Sequence, residues 1–158
     1  MSILWQTIPF RFGALLYAFM LITSALLILT GHHRVIYQIS AALSLPEFIE
    51  AGITGILNLG WNEYAYLIGK PTKQVAVFDT LPIVASVCSI ATGCALCFRK
   101  MIGIRLALLH LVFGTGIAFM SLVVLFRQGG DDTWRLTTTF CFFITNIVWF
   151  IYFWKMKR

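Results

Sequence analysis

The sequence predicts an all-α integral membrane protein: a four-transmembrane-helix bundle with an amphipathic helical outer loop between helices 1 and 2. Three observations predict it. Of 158 residues, 59% are hydrophobic and only 11% are charged, with a mean hydropathy of +0.87; soluble domains carry roughly 25% charged residues. Four apolar stretches are each long enough to cross about 30 Å of hydrocarbon, which takes about 20 helical residues. The cations gather at the ends of those stretches, as they do beside membrane spans. The length suits one domain, a single membrane unit over 1–158.

The first span is predicted over 12–31. It has the length of a signal sequence but no small-x-small cleavage site before Gly31-His32-His33, and it reads as a retained helix. The outer loop follows over 32–74. In it, Ser44-Leu45-Pro46-Glu47 has the spacing of a capping box, with Pro46 in the first turn where its missing N–H is harmless. Leu45, Phe48, Ile49, Ile53, Ile56 and Leu59 then recur at helical spacing. Glu47, Glu50, Thr54 and Asn58 line the opposite face. The pattern predicts an amphipathic helix of about four turns ending near Gly60, apolar side toward the bundle, as a lid or as a surface for a partner. Lipid-surface helices carry Lys and Arg on the polar face, and this one carries acids. A shorter helix is predicted before it from Val35, Ile36, Ile39 and Leu43.

The remaining spans are predicted over 75–98, 103–126 and 134–154. Asp131 and Asp132, after Gly129-Gly130, suit the start of the fourth helix, whose N-terminus favours negative charge. Trp5, Trp61, Trp134 and Trp154 flank spans, where the headgroup region holds aromatic side chains. No internal repeat and no low-complexity stretch interrupts the pattern.

Arg99, Lys100 and Arg105 crowd the short second loop, and Lys155, Lys157 and Arg158 end the chain. Arg34, Lys70, Lys73, Arg127 and Arg135 are spread over longer loops. The dense group belongs inside, which puts both termini in the cytoplasm, of a plasma or inner membrane. The net charge of +6 is thus a topology signal, and nucleic acid is not an expected partner. The inner basic face could hold anionic lipid or an acidic cytosolic protein.

Ionisable and amide groups within spans are costly and are the default functional candidates. Asp79, His110 and Asn146 are the possible functional polar residues, each with a structural role as the simpler reading, His110 as a neutral histidine hydrogen-bonded between helices. Asp79 lies near the outer end of the second span, before Thr80 and Pro82, where it can reach water or accept from free backbone N–H groups. Asn146, after Thr137, Thr138 and Thr139, is expected to bond across helices.

His110 falls on a small-residue stripe with Gly103, Ala107, Gly114 and Ala118. The second span has a matching stripe, Ala85, Ser89, Gly93 and Cys97. Small residues let helices approach closely, and a tight loop joins these two, so stripe is expected to pack on stripe. That would bring His110 to the depth of Ala91 and Cys94, and Cys94-x-x-Cys97 with His110 could suggest a metal or redox centre. Zinc takes four ligands, however, and no fourth is evident. The four cysteines, Cys88, Cys94, Cys97 and Cys141, lie inside apolar runs, as small packing residues and not as a disulfide framework.

No P-loop, H-E-x-x-H helix, nucleophile elbow or paired-carboxylate pattern occurs. The expectation is a non-enzymatic membrane anchor, sensor or accessory subunit without a cofactor. It would act in the lipid bilayer as a homo-oligomer or with a membrane or cytosolic partner. The alternative is an oligomeric small channel or transporter.

Overall fold

The computed structural model describes residues 8–30, 35–57, 76–98, 101–127, 129 and 132–157. Six helices occupy them: α1 (Ile8–Leu29), α2 (Val35–Ala42), α3 (Glu47–Ile56), α4 (Ala76–Cys97), α5 (Met101–Arg127) and α6 (Thr133–Lys157). No strand occurs among the described residues. Three helices are long and apolar enough to cross a membrane: Arg11–Leu29 of α1, Met101–Arg127 of α5 and Thr133–Met156 of α6. In α4 the apolar stretch with described side chains is Ile83–Cys97.

Their exterior is apolar. Phe12, Phe19, Val84, Phe113, Phe126 and Val148 all stand more than half exposed. The interior takes alanine, glycine, serine and threonine alongside larger apolar groups. Helices in lipid gain nothing from hiding leucine from leucine-like tails, so close approach of small residues holds them together.

The long helices pack chiefly as two pairs, α1 along α4 and α5 along α6. In the first pair, a Cβ at Gly93 would come within 3.0 Å of the Ala18 carbonyl oxygen. In the second, Gly114 faces Asn146 and Phe142. One core joins all four helices at the end that carries Arg11, Arg105 and Lys155, the basic end. There the Tyr17 ring of α1 lies tilted against Trp149 at 4.8 Å and edge-on to Phe153 at 5.1 Å, both of α6. Leu96, Ile104, Leu111 and Met156 fill the space around them.

Asp132 caps α6. Its Oδ1 accepts from the Arg135 N–H at 3.0 Å, and its Oδ2 pairs with the Arg135 side chain at 3.1 Å. Gly129, in the preceding turn, has a φ of 101°.

The capping box expected at Ser44 does not form. Ser44 adopts a left-handed φ of 50° and closes α2: Leu45 N–H donates to the Ser40 carbonyl at 2.9 Å and Ser44 N–H to Ala41 at 3.2 Å. That is a Schellman ending, with serine where glycine is usual. Pro46 is then the N-cap of α3, with no side-chain cap bond, and not a first-turn residue. The helix is shorter than its periodicity predicts, ending at Ile56, and Gly60 lies outside the described residues.

α3 also faces the opposite way from the expectation. Ala51, Thr54 and Gly55 are buried, while Phe48, Ile49 and Ile56 point outward. α2 repeats the inversion, with Ser40 buried and Ile39 and Leu43 exposed. The small residues of α3 let its backbone approach α6 closely, and the bulky apolar side chains are left on the opposite side.

Contacts along α6 give the position of α3. Glu47 shares a hollow with Asp132, Thr133 and Trp134 at the start of α6. Gly55 abuts the Thr138 carbonyl oxygen, and a Cβ there would lie 2.9 Å from Cys141 Cβ and 3.2 Å from Phe142 N. Ile56 and Leu57 then meet Thr145 and Asn146. So α3, ten residues long, runs parallel to α6 for about 15 Å at 1.5 Å per residue.

Candidate functional site

The three candidate polar residues are scattered. Asp79 sits in the first turn of α4, and its side chain lies outside the described residues. His110 is on α5 and Asn146 on α6, each beside a different cavity.

The predicted packing of one small-residue stripe on the other holds only at one end. A Cβ at Gly103 would lie 2.7 Å from the Ala95 carbonyl carbon, so α4 and α5 touch beside the loop that joins them. Farther on they part. Gly93 is turned to α1 and Gly114 to α6. Gly103, Ala107, Gly114 and Ala118 are all buried, as are Ser89 and Gly93, whereas Ala85 is half-buried and Cys97 exposed. Each stripe therefore marks a close approach, but mostly to a helix other than the expected one.

Between the diverging α4 and α5 lies a cleft of about 380 Å³. Its walls are mostly apolar, among them Val84, Ala91, Leu109 and Phe113, and its polar side chains are His110, Thr92 and Cys88. The Thr92 hydroxyl is committed to the Cys88 carbonyl at 2.8 Å. Val84, Leu109 and Phe113 are more than half exposed, so the cleft opens sideways on the exterior. His110 and Ala91 share it, as the stripe argument expects, but Cys94 is not among its lining residues. Among the described residues no three of histidine, cysteine, aspartate and glutamate converge as metal ligands would.

The second cavity is smaller, about 20 Å³, and lies where α1, the end of α3 and α6 meet. Tyr17, Ser24, Thr145 and Asn146 are its polar side chains. Asn146 is 6% exposed, and its Nδ2 has no hydrogen-bond partner. The inter-helix bond expected of it is thus not made by that nitrogen. The Ser24 hydroxyl donates to its own helix, to Leu21 O at 3.1 Å.

Hydroxyls are the class that residue-by-residue reading undervalues. Ser86, Ser89 and Ser121 are buried alongside Ser24, Thr54, Thr138 and Thr139. Ser86, Ser121 and Thr139 bury a hydroxyl oxygen that no partner satisfies. Their signal in the sequence is serine recurring inside long apolar runs; each alone looks like a small packing residue. Of the cations expected on an inner face, Arg105 and Lys155 are exposed at the basic end, and Arg99, Lys100 and Arg158 lie outside the described residues, as does the Lys157 side chain.

Compared with protein families, with curated proteins and with solved structures, the chain matches none.

Proposed function

We propose that this chain is a non-enzymatic, four-span membrane protein, with both termini cytoplasmic, that works as an anchor, sensor or accessory subunit through copies of itself or through partners. In this reading α4 is the fourth span, and α2 and α3 are the outer loop, sunk into the bundle instead of resting on it. The cleft between α4 and α5 carries the reading. α4 uses its small residues on α1, which leaves Val84, Val87, Cys88 and Ala91 exposed beside a ligand-sized hollow. Apolar faces with small residues are where helices associate in lipid. Mild-detergent purification with light scattering tests it: a dimer or larger complex is expected, weakened by Ala91→Phe. A chain that remains a lone monomer at every concentration refutes it.

A second reading, an oligomeric channel or transporter, is favoured by the polar groups at mid-bundle, Asn146 above all. Flux across liposomes that falls in Asn146→Leu would support it, and its absence from every reconstituted oligomer would retire it.

A further inference from the structure

The polar groups of α3 are sorted along its length. Both acids, Glu47 and Glu50, sit in the first turn. From Ala51 to Leu57 no residue is ionisable. The polar side chain in that stretch, Thr54, donates its hydroxyl to the Glu50 carbonyl at 2.9 Å, inside its own helix. A helix lying in the headgroup plane carries charge along its whole polar side, with Lys and Arg prominent. A helix entering end-on keeps its charge at one end, because each charge carried into hydrocarbon is costly.

The neighbouring helix fixes the direction. Glu47 lies beside Asp132, Thr133 and Trp134, where α6 begins. Leu57 lies beside Thr145 and Asn146, half-way along the apolar stretch Thr133–Met156. The ten residues of α3 reach about 15 Å, half of the roughly 30 Å of hydrocarbon in a bilayer. α4 then starts at the end of the bundle away from the basic core, because Leu96 near its other end belongs to that core. The chain therefore leaves by the face it entered. Phe48, Ile49 and Ile56 stand exposed along this length, beside a helix whose own outward side chains, Phe140 and Ile144, are apolar.

We propose that α3 is a re-entrant helix that dips from the side opposite the basic end to the middle of the bilayer, with Phe48, Ile49 and Ile56 against lipid acyl chains. The proposal rests on α6 crossing the membrane, as in the four-span reading. It makes the outer loop a lipid-contacting part of the membrane domain and not a lid at its surface.

Spin labels on single cysteines in lipid nanodiscs test this, with Cys88, Cys94, Cys97 and Cys141 replaced by serine. Phe48→Cys and Ile56→Cys report on α3, and Ile144→Cys gives the depth of mid-α6. Relaxation by oxygen against relaxation by a water-soluble nickel chelate should place Ile56→Cys roughly 12 Å deeper than Phe48→Cys, at 1.5 Å per residue. It should lie level with Ile144→Cys. Equal depths at 48 and 56, or nickel contact at 56, with Ile144→Cys still deep, would overturn the proposal alone. So would shielding at 56 from both relaxants, because protein and not lipid would then cover the face. A shallow Ile144→Cys would overturn the four-span reading as well. If the cysteine-free chain does not fold, a diazirine amino acid in place of Ile56 in the otherwise wild-type chain should cross-link to acyl chains. Cross-links to protein only would overturn the proposal.

Discussion

The two halves of the molecule are built on different principles. Toward the basic end, large side chains meet in a continuous core: the rings of Tyr17, Trp149 and Phe153 meet at tilted and edge-on angles, and Leu96, Ile104, Leu111 and Met156 close around them. Toward the α3 end the second apolar core has, among the described residues, Ala118 and Phe142 as its buried members. Glycine contacts and hydroxyls take over there, with α3 laid against α6 through Ala51, Thr54 and Gly55. The first half is held by filled volume and the second by closeness of backbones. Among the described residues, the polar atoms left without partners lie in the second half, and polar groups of that kind are where water and solutes enter membrane proteins.

The sharpest way to break the comparison is Phe153→Ala. It removes a fully buried ring from the aromatic layer and should cost about 3 kcal/mol, the low end for phenylalanine truncation in a core, because lipid is already an apolar reference. Reversible unfolding in mixed micelles measures it, and a change below half that value would deny that volume holds this half.

Next in size is Gly55→Ala. The new methyl meets the Thr138 carbonyl and the Phe142 amide, which are backbone and cannot rotate away. A loss of about 1–3 kcal/mol follows from overpacking of this kind, with α3 lifted from α6 and half-buried Cys141 alkylated faster. An unchanged Cys141 rate would mean that α3 is held from elsewhere.

Asp132→Ala deletes the cap on α6 and should cost about 1 kcal/mol. Hydrogen exchange should speed up in the first turn of α6 alone. Protection lost along the whole helix instead would show that its end is not an independent unit.

The smallest stability effect belongs to Asn146→Leu. Polar contacts between membrane helices average about 0.6 kcal/mol, and here the amide nitrogen bonds to no protein group, so the change should fall at or below that figure. A loss several times larger would mean that Asn146 is a cross-link between helices and that the α3 half is not as loosely tied as the basic half is tightly filled.

Much of this was legible before any coordinates. Predicted spans at 12–31, 103–126 and 134–154 correspond to α1, α5 and α6, and 75–98 to α4. Of the site, Asn146 and His110 were visible as polar groups in apolar runs, and Asp132 as a helix start. Thr145, Ser24 and the place where α3 ends against α6 were not. Hydroxyls that bond their own helix and hydroxyls that face a cavity look alike in one dimension.

Composition and periodicity by themselves determined that lipid solvates most of this chain and where its helices run, because both depend on residues adjacent along the chain or a turn apart. Tertiary structure alone decided which helix each glycine meets and which way α3 faces. A small residue permits close approach without naming the neighbour. A helical repeat has the same period whether its apolar side is turned toward protein in water or toward lipid in a membrane.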